Sequence, residues 1–258
     1  MPTVESAPDQ TDTSLLAHGA VPAEAALPEG DNRFTGHDLS FICDGDVAVL
    51  IETVDPTRRF RVRDDLLVHS EVLNTLATRW PVVPFAFGAT LRDEQEVRSQ
   101  LLEPHGSRLQ EQLDSLTGRA QFTLRASYVQ ESLLAEIVAD DPQIAALREQ
   151  TRDRPESQVH SAKVRLGELV AAAVDARRRR DVSQIVDALA PFADDHRVSD
   201  GAGLDDLADV SFLLRLDRQE DFEHRAEETA EKLAPRARLR LIGPLAAFDF
   251  VGEPETRG

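Results

Sequence analysis

The stretch FTLRASY, at positions 122–128, gives the clearest secondary-structure signal in the chain. Its apolar residues Phe122, Leu124, Ala126 and Tyr128 alternate with polar ones. A period of two residues places the apolar side chains on one face of a strand, because successive side chains point to opposite faces. The stretch therefore predicts a half-buried β-strand.

On the amino-terminal side of this strand, short apolar runs alternate with amphipathic segments. The sequence predicts, in order, a strand at 14–18, a hairpin at 39–43 and 47–52, a helix at 65–77, a strand at 80–90 and a helix at 92–116. The turn of the hairpin contains Gly45, which supplies left-handed backbone geometry. Pro84 confines its strand to a sheet edge or a bulge. Pro104 and Gly106 are expected to break or kink the last helix.

On the carboxyl-terminal side, the sequence becomes helical before a second mixed segment begins. The predicted elements are helices at 131–140, 142–150, 155–180, 182–189 and 217–234, strands at 193–201, 209–216 and 237–243, and an aromatic tail at 248–251. This order predicts an α+β protein with two small α+β domains, the first a modified ferredoxin-like sheet with helices on one face. The predicted segments are a disordered amino terminus at 1–12, the first domain at 13–130, a joining helical segment at 131–190 and a carboxyl-terminal unit at 191–258.

Composition excludes several classes of protein. The chain has 258 residues and a formal net charge of -18, which disfavours binding to nucleic acid or to an anionic membrane. No apolar run is long enough for a membrane span, and the first residues lack the pattern of a signal peptide. We therefore expect a cytoplasmic protein. The single cysteine, Cys43, excludes an internal disulfide and is expected to be a buried, inert thiol.

The sequence contains no recognisable catalytic or metal-binding motif. Its seven histidines are scattered without an HExxH pair, so surface or capping roles are expected, with no metal site and no cofactor. Asp194, Asp195 and His196 form a cluster that is typical of a short acidic loop. Because catalytic groups need not be adjacent in sequence, an enzyme with a cleft that gathers His69, Glu71 and Asp195 remains an alternative hypothesis.

The run Arg177–Arg180 is the one strongly basic segment. It falls at the carboxyl end of the predicted helix 155–180, where cations complement the helix dipole and the unpaired carbonyl groups. The alternative is a docking site for an acidic partner, in which Arg178 and Arg179 are the candidate contact residues.

Several segments together resemble the gas vesicle protein L/F family. They are DLLVHSEVLNTLATRW at 65–80, PVVPFAFGATLRDEQEVRSQL at 81–101, the region 114–128, RLGELVAAAVDARRRRD at 165–181, and DVSFLLRLDRQEDFE at 209–223 followed by ARLRLIGPLAAFDFV at 237–251. The chain departs from the family pattern where Ala86 replaces an arginine. It departs again where Ala246, Ala247, Phe248 and Asp249 replace Pro-Pro-Tyr-Ser.

The resemblance implies an accessory protein of gas vesicle formation with a two-domain α+β fold and no catalytic chemistry. Its expected partners are the small hydrophobic shell protein and other accessory proteins, which it would bind during nucleation and assembly. The predicted contact surface comprises the edge strand and the aromatic tail, with Val83, Phe85, Phe87, Phe248 and Phe250. The alternative is that these aromatic residues form the core. A regulatory or stress-related binding module on the same fold is the other rival function.

Overall fold

The computed structural model describes residues 13–28, 34–58, 61–199 and 206–252, so the predicted disordered segment 1–12 lies outside the described residues. The protein has an α+β fold with two antiparallel sheets, which confirms the predicted class. The chain forms two compact units. The first unit contains the described residues up to Ala120 together with those from Pro244 onward, and the second unit is Gln121–Gly243.

The sheet of the first unit is built around its first strand. Its strands are β1 (Ser14–Pro22), β2 (Asp38–Asp44), β3 (Val47–Val54), β4 (Val83–Pro84) and β5 (Thr90–Leu91). Their order is β2-β3-β1-β4, and β5 also pairs with β1. The hairpin β2–β3 is confirmed, with Gly45 at a φ of 58° in its turn. The proline-containing strand β4 lies at the end of this order, as its missing N–H requires.

Helices α1 (Val62–Ala77), α2 (Glu94–Val97) and α3 (Glu103–Leu116) cover this sheet, and a π-helical turn (Arg98–Leu102) joins α2 to α3. The predicted irregularity near Pro104 is confirmed, but Gly106 lies inside the regular helix α3. Pro104 lies in the first turn of α3, and the irregularity is the π-helical turn before it. Apolar residues of α1 pack against β3, with Leu50, Leu73 and Leu76 at most 1% exposed.

The sheet of the second unit contains β6 (Arg119–Tyr128), β7 (Asp195–Ser199), β8 (Asp206–Arg215) and β9 (Ala237–Leu245), in the order β7-β8-β6-β9. The alternating strand that we placed with the amino-terminal elements therefore pairs with β8 and β9. Alternation shows that a strand has one buried face, but it does not identify the neighbouring strands. The predicted domain limits at 130 and 190 stay predictions.

The helices of the second unit are α4 (Gln130–Asp140), α5 (Pro142–Thr151), α6 (Glu156–Leu189) and α7 (Gln219–Leu233). Helix α6 is continuous, so the two predicted helices 155–180 and 182–189 are one. Asp181, the residue at the predicted break, is buried inside it. The basic run Arg177–Arg180 thus lies within α6, and its explanation by the helix dipole is wrong.

Cys43 is exposed, which contradicts the prediction of a buried thiol. It lies near the end of β2, an end strand in the sheet order, and its backbone carbonyl accepts a hydrogen bond from Arg98 Nη1 at 2.6 Å. Alternation in β2 buries its neighbour Ile42 instead. None of the helices within the described residues has the length and apolar character needed to cross a lipid bilayer.

Candidate partner-binding site

A β-bulge in β1 positions the first residue of the site. The register of β1 against β3 shifts between Ala17 and Gly19, so His18 is the extra residue. A bulge redirects the side chain of its extra residue out of the regular alternation. The chain is also close to β4 here, because a Cβ atom on Gly19 would lie 2.7 Å from the backbone oxygen of Val83. Glycine is therefore the residue that this position accommodates.

His18 contacts His69 of α1 inside the first unit. Their Nδ1 atoms are 3.0 Å apart, and their rings stack with centroids 5.0 Å apart. His69 Nε2 is 3.2 Å from the backbone oxygen of Phe85, and the Phe85 N–H donates to the backbone oxygen of His18 at 2.9 Å. Each histidine is only 1% exposed. The pair links α1, the bulge in β1 and the segment after β4.

The hydrogen-bond pattern assigns the protons of this pair. When His69 carries its proton on Nε2, it donates to the Phe85 carbonyl and leaves Nδ1 as an acceptor. The Nδ1 atom of His18 must then be the donor between the two rings. The other ring nitrogen of His18 lies 3.5 Å from a carboxylate oxygen of Glu52. This nitrogen places the imidazole of His18 next to the buried carboxylate.

Glu52 of β3 is the anionic centre of the site. Its side chain is also 2.8 Å from His37 Nδ1 and accepts a hydrogen bond from Arg58 at 3.3 Å. Arg58 in turn pairs with Asp65 in the first turn of α1. Glu52 is 3% exposed, so these partners replace the water that would otherwise solvate its charge.

The surroundings shift two pKa values in this cluster. Burial by itself raises the pKa of Glu52, but hydrogen bonds and positive charge from His18 and His37 outweigh it and lower that pKa from 4.5 to about 2. Burial, followed by the charge of His18, lowers the pKa of His69 from 6.5 to about 4, although its hydrogen bond to Phe85 opposes the shift. At neutral pH the cluster thus contains a carboxylate and a neutral His69.

Aromatic side chains surround His69 and reach the surface. The ring of Phe87 meets His69 edge-on at a centroid distance of 5.6 Å, and the ring of Phe248 lies at 6.4 Å. Phe87 is half-buried, whereas Phe248 is 37% exposed. We call these two residues the aromatic patch. The segment carrying Phe248 is anchored by Ala246, whose backbone N–H donates to Asn74 Oδ1 of α1 at 2.9 Å.

The structure places the predicted contact residues at different depths. Val83 and Phe85 are buried, at 0% and 4% exposure, and so belong to the core of the first unit. Phe250 is half-buried, like Phe87. Among the positions that depart from the family pattern, Ala86 is exposed, while Ala246 and Ala247 are buried. Solvent therefore reaches the predicted surface mainly through the aromatic patch. Partner contact by any of these residues stays a prediction.

The basic residues singled out from sequence lie on α6 of the second unit. Arg178 is half-buried and Arg179 is exposed, and both line a groove with Val182, Val198 and Leu207. Their neighbour Arg177 is engaged within the unit, donating to Glu136 at 2.9 Å and to Asp140 at 2.5 Å. A partner contact by Arg178 and Arg179 likewise stays a prediction.

The residues of the enzyme hypothesis have separate environments. His69 is buried, whereas Glu71 is exposed on the same helix. Asp195 belongs to β7 of the second unit, where it pairs with Arg197 at 2.8 Å. Within the described residues, no group of three or more His, Cys, Asp and Glu side chains is arranged to hold a metal ion.

Sequence reasoning did not single out His18 or Glu52 as site residues, and it assigned all seven histidines, His18 and His69 included, to surface or capping roles. For His18 and His69 the assignment is wrong because both are buried. They are 51 positions apart in sequence, so no local motif joins them. Their flanking residues carry a signal, since His18 and Glu52 each interrupt an apolar strand, in LLAHGAV and VAVLIETV. A polar residue inside a buried strand requires a partner.

Comparison with known proteins places the chain in a family. The model of the family described as "Gas vesicle synthesis protein GvpL/GvpF" matches residues 8–252. Gas vesicle protein F of Streptomyces sp. (strain CB03234) is 31% identical, over 83% of this chain and 87% of that protein. Gas vesicle protein F of Dolichospermum flosaquae is 25% identical, over 73% of this chain and 77% of that protein.

Two solved structures share the fold. The crystal structure of GvpF from Anabaena sp. PCC7120 has a TM-score of 0.72 at 20% identity, covering 95% of this chain and 99% of that one. That of GvpF from Microcystis aeruginosa has a TM-score of 0.69 at 19% identity, covering 92% and 98%. The match of the family model along nearly the whole chain is the decisive finding. The chain belongs to the GvpL/GvpF family of gas vesicle synthesis proteins.

Proposed function

We propose that this protein acts in gas vesicle assembly as a non-enzymatic accessory protein that binds the hydrophobic shell protein, together with other accessory proteins, during nucleation. Family membership supports a role related to gas vesicles. The finer proposal rests mainly on one observation, the exposure of Phe248 beside the half-buried Phe87. A shell subunit that will face gas has apolar surface before assembly, and an accessible aromatic patch can cover part of that surface.

The histidine cluster gives the aromatic patch a rigid base. His69 contacts both aromatic rings and is itself held by His18 and by the Phe85 carbonyl. Side chains that are already ordered lose little conformational entropy when a partner binds. The net charge of -18 adds a second benefit, because repulsion between copies of the protein opposes aggregation while apolar surface is exposed.

Acid–base catalysis by this cluster is disfavoured by burial. The imidazole groups of His18 and His69 are each about 1% exposed, and their ring nitrogens are directed at each other, at Phe85 and at Glu52. A substrate atom would have to displace these partners before a proton could be transferred. Geometry therefore favours a structural role for the histidines and a binding role for the rings around them.

Co-expression with a shell protein tests the proposal. We expect the native protein to associate with the shell protein and to raise its soluble fraction. Phe248→Asp should reduce both, since it places a charge in the aromatic patch, while leaving the melting temperature nearly unchanged because the side chain is partly exposed. Association and soluble yield that are the same for native and Phe248→Asp proteins would reject the patch as the binding surface.

Val164→Asp is the matched control. Like Phe248→Asp, this substitution replaces an exposed apolar side chain with a charge. Val164 is 50% exposed, but it lies on α6 of the second unit. It should leave association intact. An equal loss in both variants would mean that added negative charge alone weakens binding, and a lower melting temperature for Phe248→Asp would mean that this ring stabilises the fold instead.

A further inference from the structure

Strand β9 lies at an end of the sheet of the second unit. Among the described strands it pairs with β6 on one side and has no partner on the other. A strand in this position presents backbone N–H and C=O groups that can pair with another extended chain. Pro244, near the end of β9, cannot donate a backbone hydrogen bond, which limits the available edge to the residues before it.

A groove runs along this strand between β9 and α7. Its volume is about 290 Å³, and its apolar lining includes Phe122, Leu124, Ala226, Ala230, Leu239 and Leu241. Leu239 and Leu241 are only half-buried although both lie within a strand of the sheet. The groove therefore exposes apolar side chains next to the unpaired backbone.

Small residues keep the groove open. Ala226 and Ala230 face it from α7 one helical turn apart, where longer side chains would fill it. Gly243 lets β9 approach Phe122, which forms the bottom of the groove, because a Cβ atom at position 243 would lie 2.4 Å from a ring carbon of Phe122. The ring of Phe122 packs against the ring of Phe222, with centroids 6.1 Å apart. Packing therefore fixes the bottom of the groove, and the groove is open before a partner binds.

Charges on the two sides of β9 have opposite signs. Glu223 and Glu227 of α7 line the groove, and Glu227 is exposed without an ion-pair partner among the described residues. Arg238 and Arg240 alternate with the leucines of β9, so they face the other side of the sheet. Both are exposed, and neither forms an ion pair with any residue that the structure describes.

We propose that the edge of β9 and this groove bind an extended segment of a partner protein by strand addition. Backbone hydrogen bonds to β9 would supply affinity, and alternate side chains would supply specificity. One face of the segment carries apolar side chains and a lysine or arginine, which enter the groove beside Glu227. The other face carries acidic side chains that pair with Arg238 and Arg240. This surface uses none of the residues of the aromatic patch and is independent of that proposal.

A synthetic peptide with this alternation tests the proposal directly on the full-length protein. In the probe, leucine and lysine on one face alternate with glutamate on the other, and its binding is measured by fluorescence anisotropy. We expect saturable binding to the native protein. The same peptide with N-methyl groups on alternate backbone nitrogens should lose binding, because it can no longer donate to a strand edge. Both peptides carry the same side chains and are tested on the same native protein, so a folding defect cannot explain a difference in their binding.

Charge exchange provides the second test. Glu227→Arg should weaken binding of the lysine peptide by about threefold to fivefold, as expected for an exposed ion pair, and should strengthen binding of a peptide whose lysine is replaced by glutamate. Asp175→Arg, on the exposed surface of α6 and outside the groove lining, makes the same charge change and should alter neither affinity.

Several results would overturn the proposal. They are the absence of saturable binding, equal binding of the N-methylated peptide, and equal effects of Glu227→Arg and Asp175→Arg. A concentration-dependent dimer that Glu227→Arg disrupts, without peptide binding, would instead identify a second copy of this chain as the occupant of the edge and would equally reject a partner segment.

Discussion

Each unit of the protein contains a buried polar cluster that holds a helix against a sheet, but the two clusters use different chemistry. In the first unit the cluster consists of His18, His69 and Glu52. In the second unit, Tyr128 of β6 donates to Asp181 of α6 at 2.9 Å, and Arg236 forms a bidentate pair with the same carboxylate at 2.9 and 3.1 Å. Both arrangements satisfy a buried carboxylate, one with imidazole groups and the other with a guanidinium and a phenol.

This difference predicts opposite responses to pH. The folded state lowers the pKa of His69 from 6.5 to about 4, so the unfolded chain binds more protons between these values and the first unit loses stability as pH falls. Burial and the hydrogen bond to Asp181 raise the pKa of Tyr128 above its ordinary value of 10, so the unfolded chain loses its proton first and the second unit loses stability as pH rises above 10. One cluster is sensitive to acid, the other to base.

The chain contains its own probes for the two units. Its single tryptophan, Trp80, packs against the core of the first unit. Its single tyrosine, Tyr128, is part of the cluster of the second unit. Tryptophan fluorescence and the tyrosine near-UV signal can therefore follow the two units separately, without labelling.

The largest expected effect is that of Asp181→Ala. The substitution removes the buried acceptor of both Arg236 and the Tyr128 hydroxyl, and it leaves Arg236 only a longer contact with Glu136 at 3.7 Å. This should lower the free energy of unfolding by about 3–5 kcal/mol. Urea unfolding followed by the tyrosine signal measures this loss. Asp175→Ala is the control, because Asp175 is an exposed aspartate on the same helix and should change stability by less than about 0.5 kcal/mol. Equal losses in the two variants would refute the assigned role of Asp181.

The acid response of the first unit is the next largest effect. A shift from 6.5 to about 4 at His69 corresponds to about 3 kcal/mol of stability that is lost progressively between those pH values. Below about pH 4.5 the lowered pKa of Glu52 adds a further loss, so the contribution of His69 is measured between pH 6.5 and 4.5. Urea midpoints followed by Trp80 fluorescence at a series of pH values measure the loss. His69→Gln retains an amide donor for Phe85 and an acceptor for His18 but does not titrate, so it should flatten the profile. A native profile that is already flat would contradict the buried, neutral His69.

Close backbone approaches offer a matched pair of glycine substitutions. Gly243→Ala places a methyl group 2.4 Å from the Phe122 ring, and Gly19→Ala places one 2.7 Å from the Val83 carbonyl. Each should cost about 1–3 kcal/mol, the first read by the tyrosine signal and the second by tryptophan fluorescence. Gly106→Ala is the control, since a methyl group there has no neighbour within 4 Å and the site is helical. An equal loss of stability in Gly106→Ala would mean that the glycine substitutions act on the unfolded chain and not through a steric clash in the folded one.

The smallest effect belongs to the Tyr128 hydroxyl. Tyr128→Phe leaves Arg236 paired with Asp181, so it should cost only about 1 kcal/mol. Its sharper consequence is at high pH, where the native protein should lose stability above pH 10 and the variant should lose less. Thermal unfolding followed by circular dichroism from pH 8 to above 10 measures the difference, and parallel curves for the two proteins would reject a raised pKa at Tyr128.

Local patterns predicted the secondary structure well where one physical constraint dominated. Alternation identified β6, the glycine turn identified the β2–β3 hairpin, and the missing N–H of Pro84 placed β4 at a sheet edge. Helix α6 was predicted in two parts because its sequence around Asp181 is polar. A charged residue inside a helix suggests exposure, whereas here Tyr128 and Arg236 supply its partners from distant positions.

Long-range pairing accounts for what the sequence did not predict. The strand neighbours of β6 lie more than 80 positions away along β8, where Ser211 contacts Thr123 at a separation of 88 residues. The candidate site depends on a one-residue bulge at His18, which no composition rule locates. Aromatic residues were identified as contacts by type, but their depth depends on packing, which buried Phe85 and left Phe248 accessible.

The division of the chain implies an unusual order of events during synthesis. The second unit is an insertion, because the first unit resumes at Pro244 after Gly243. Ala246 belongs to the core of the first unit and binds Asn74, so that core is incomplete until the ribosome has released residues beyond the whole insertion. During synthesis from the amino terminus, the second unit can thus finish folding before the first, although it is translated later. Until then, the core of the first unit lacks the residues that follow the insertion.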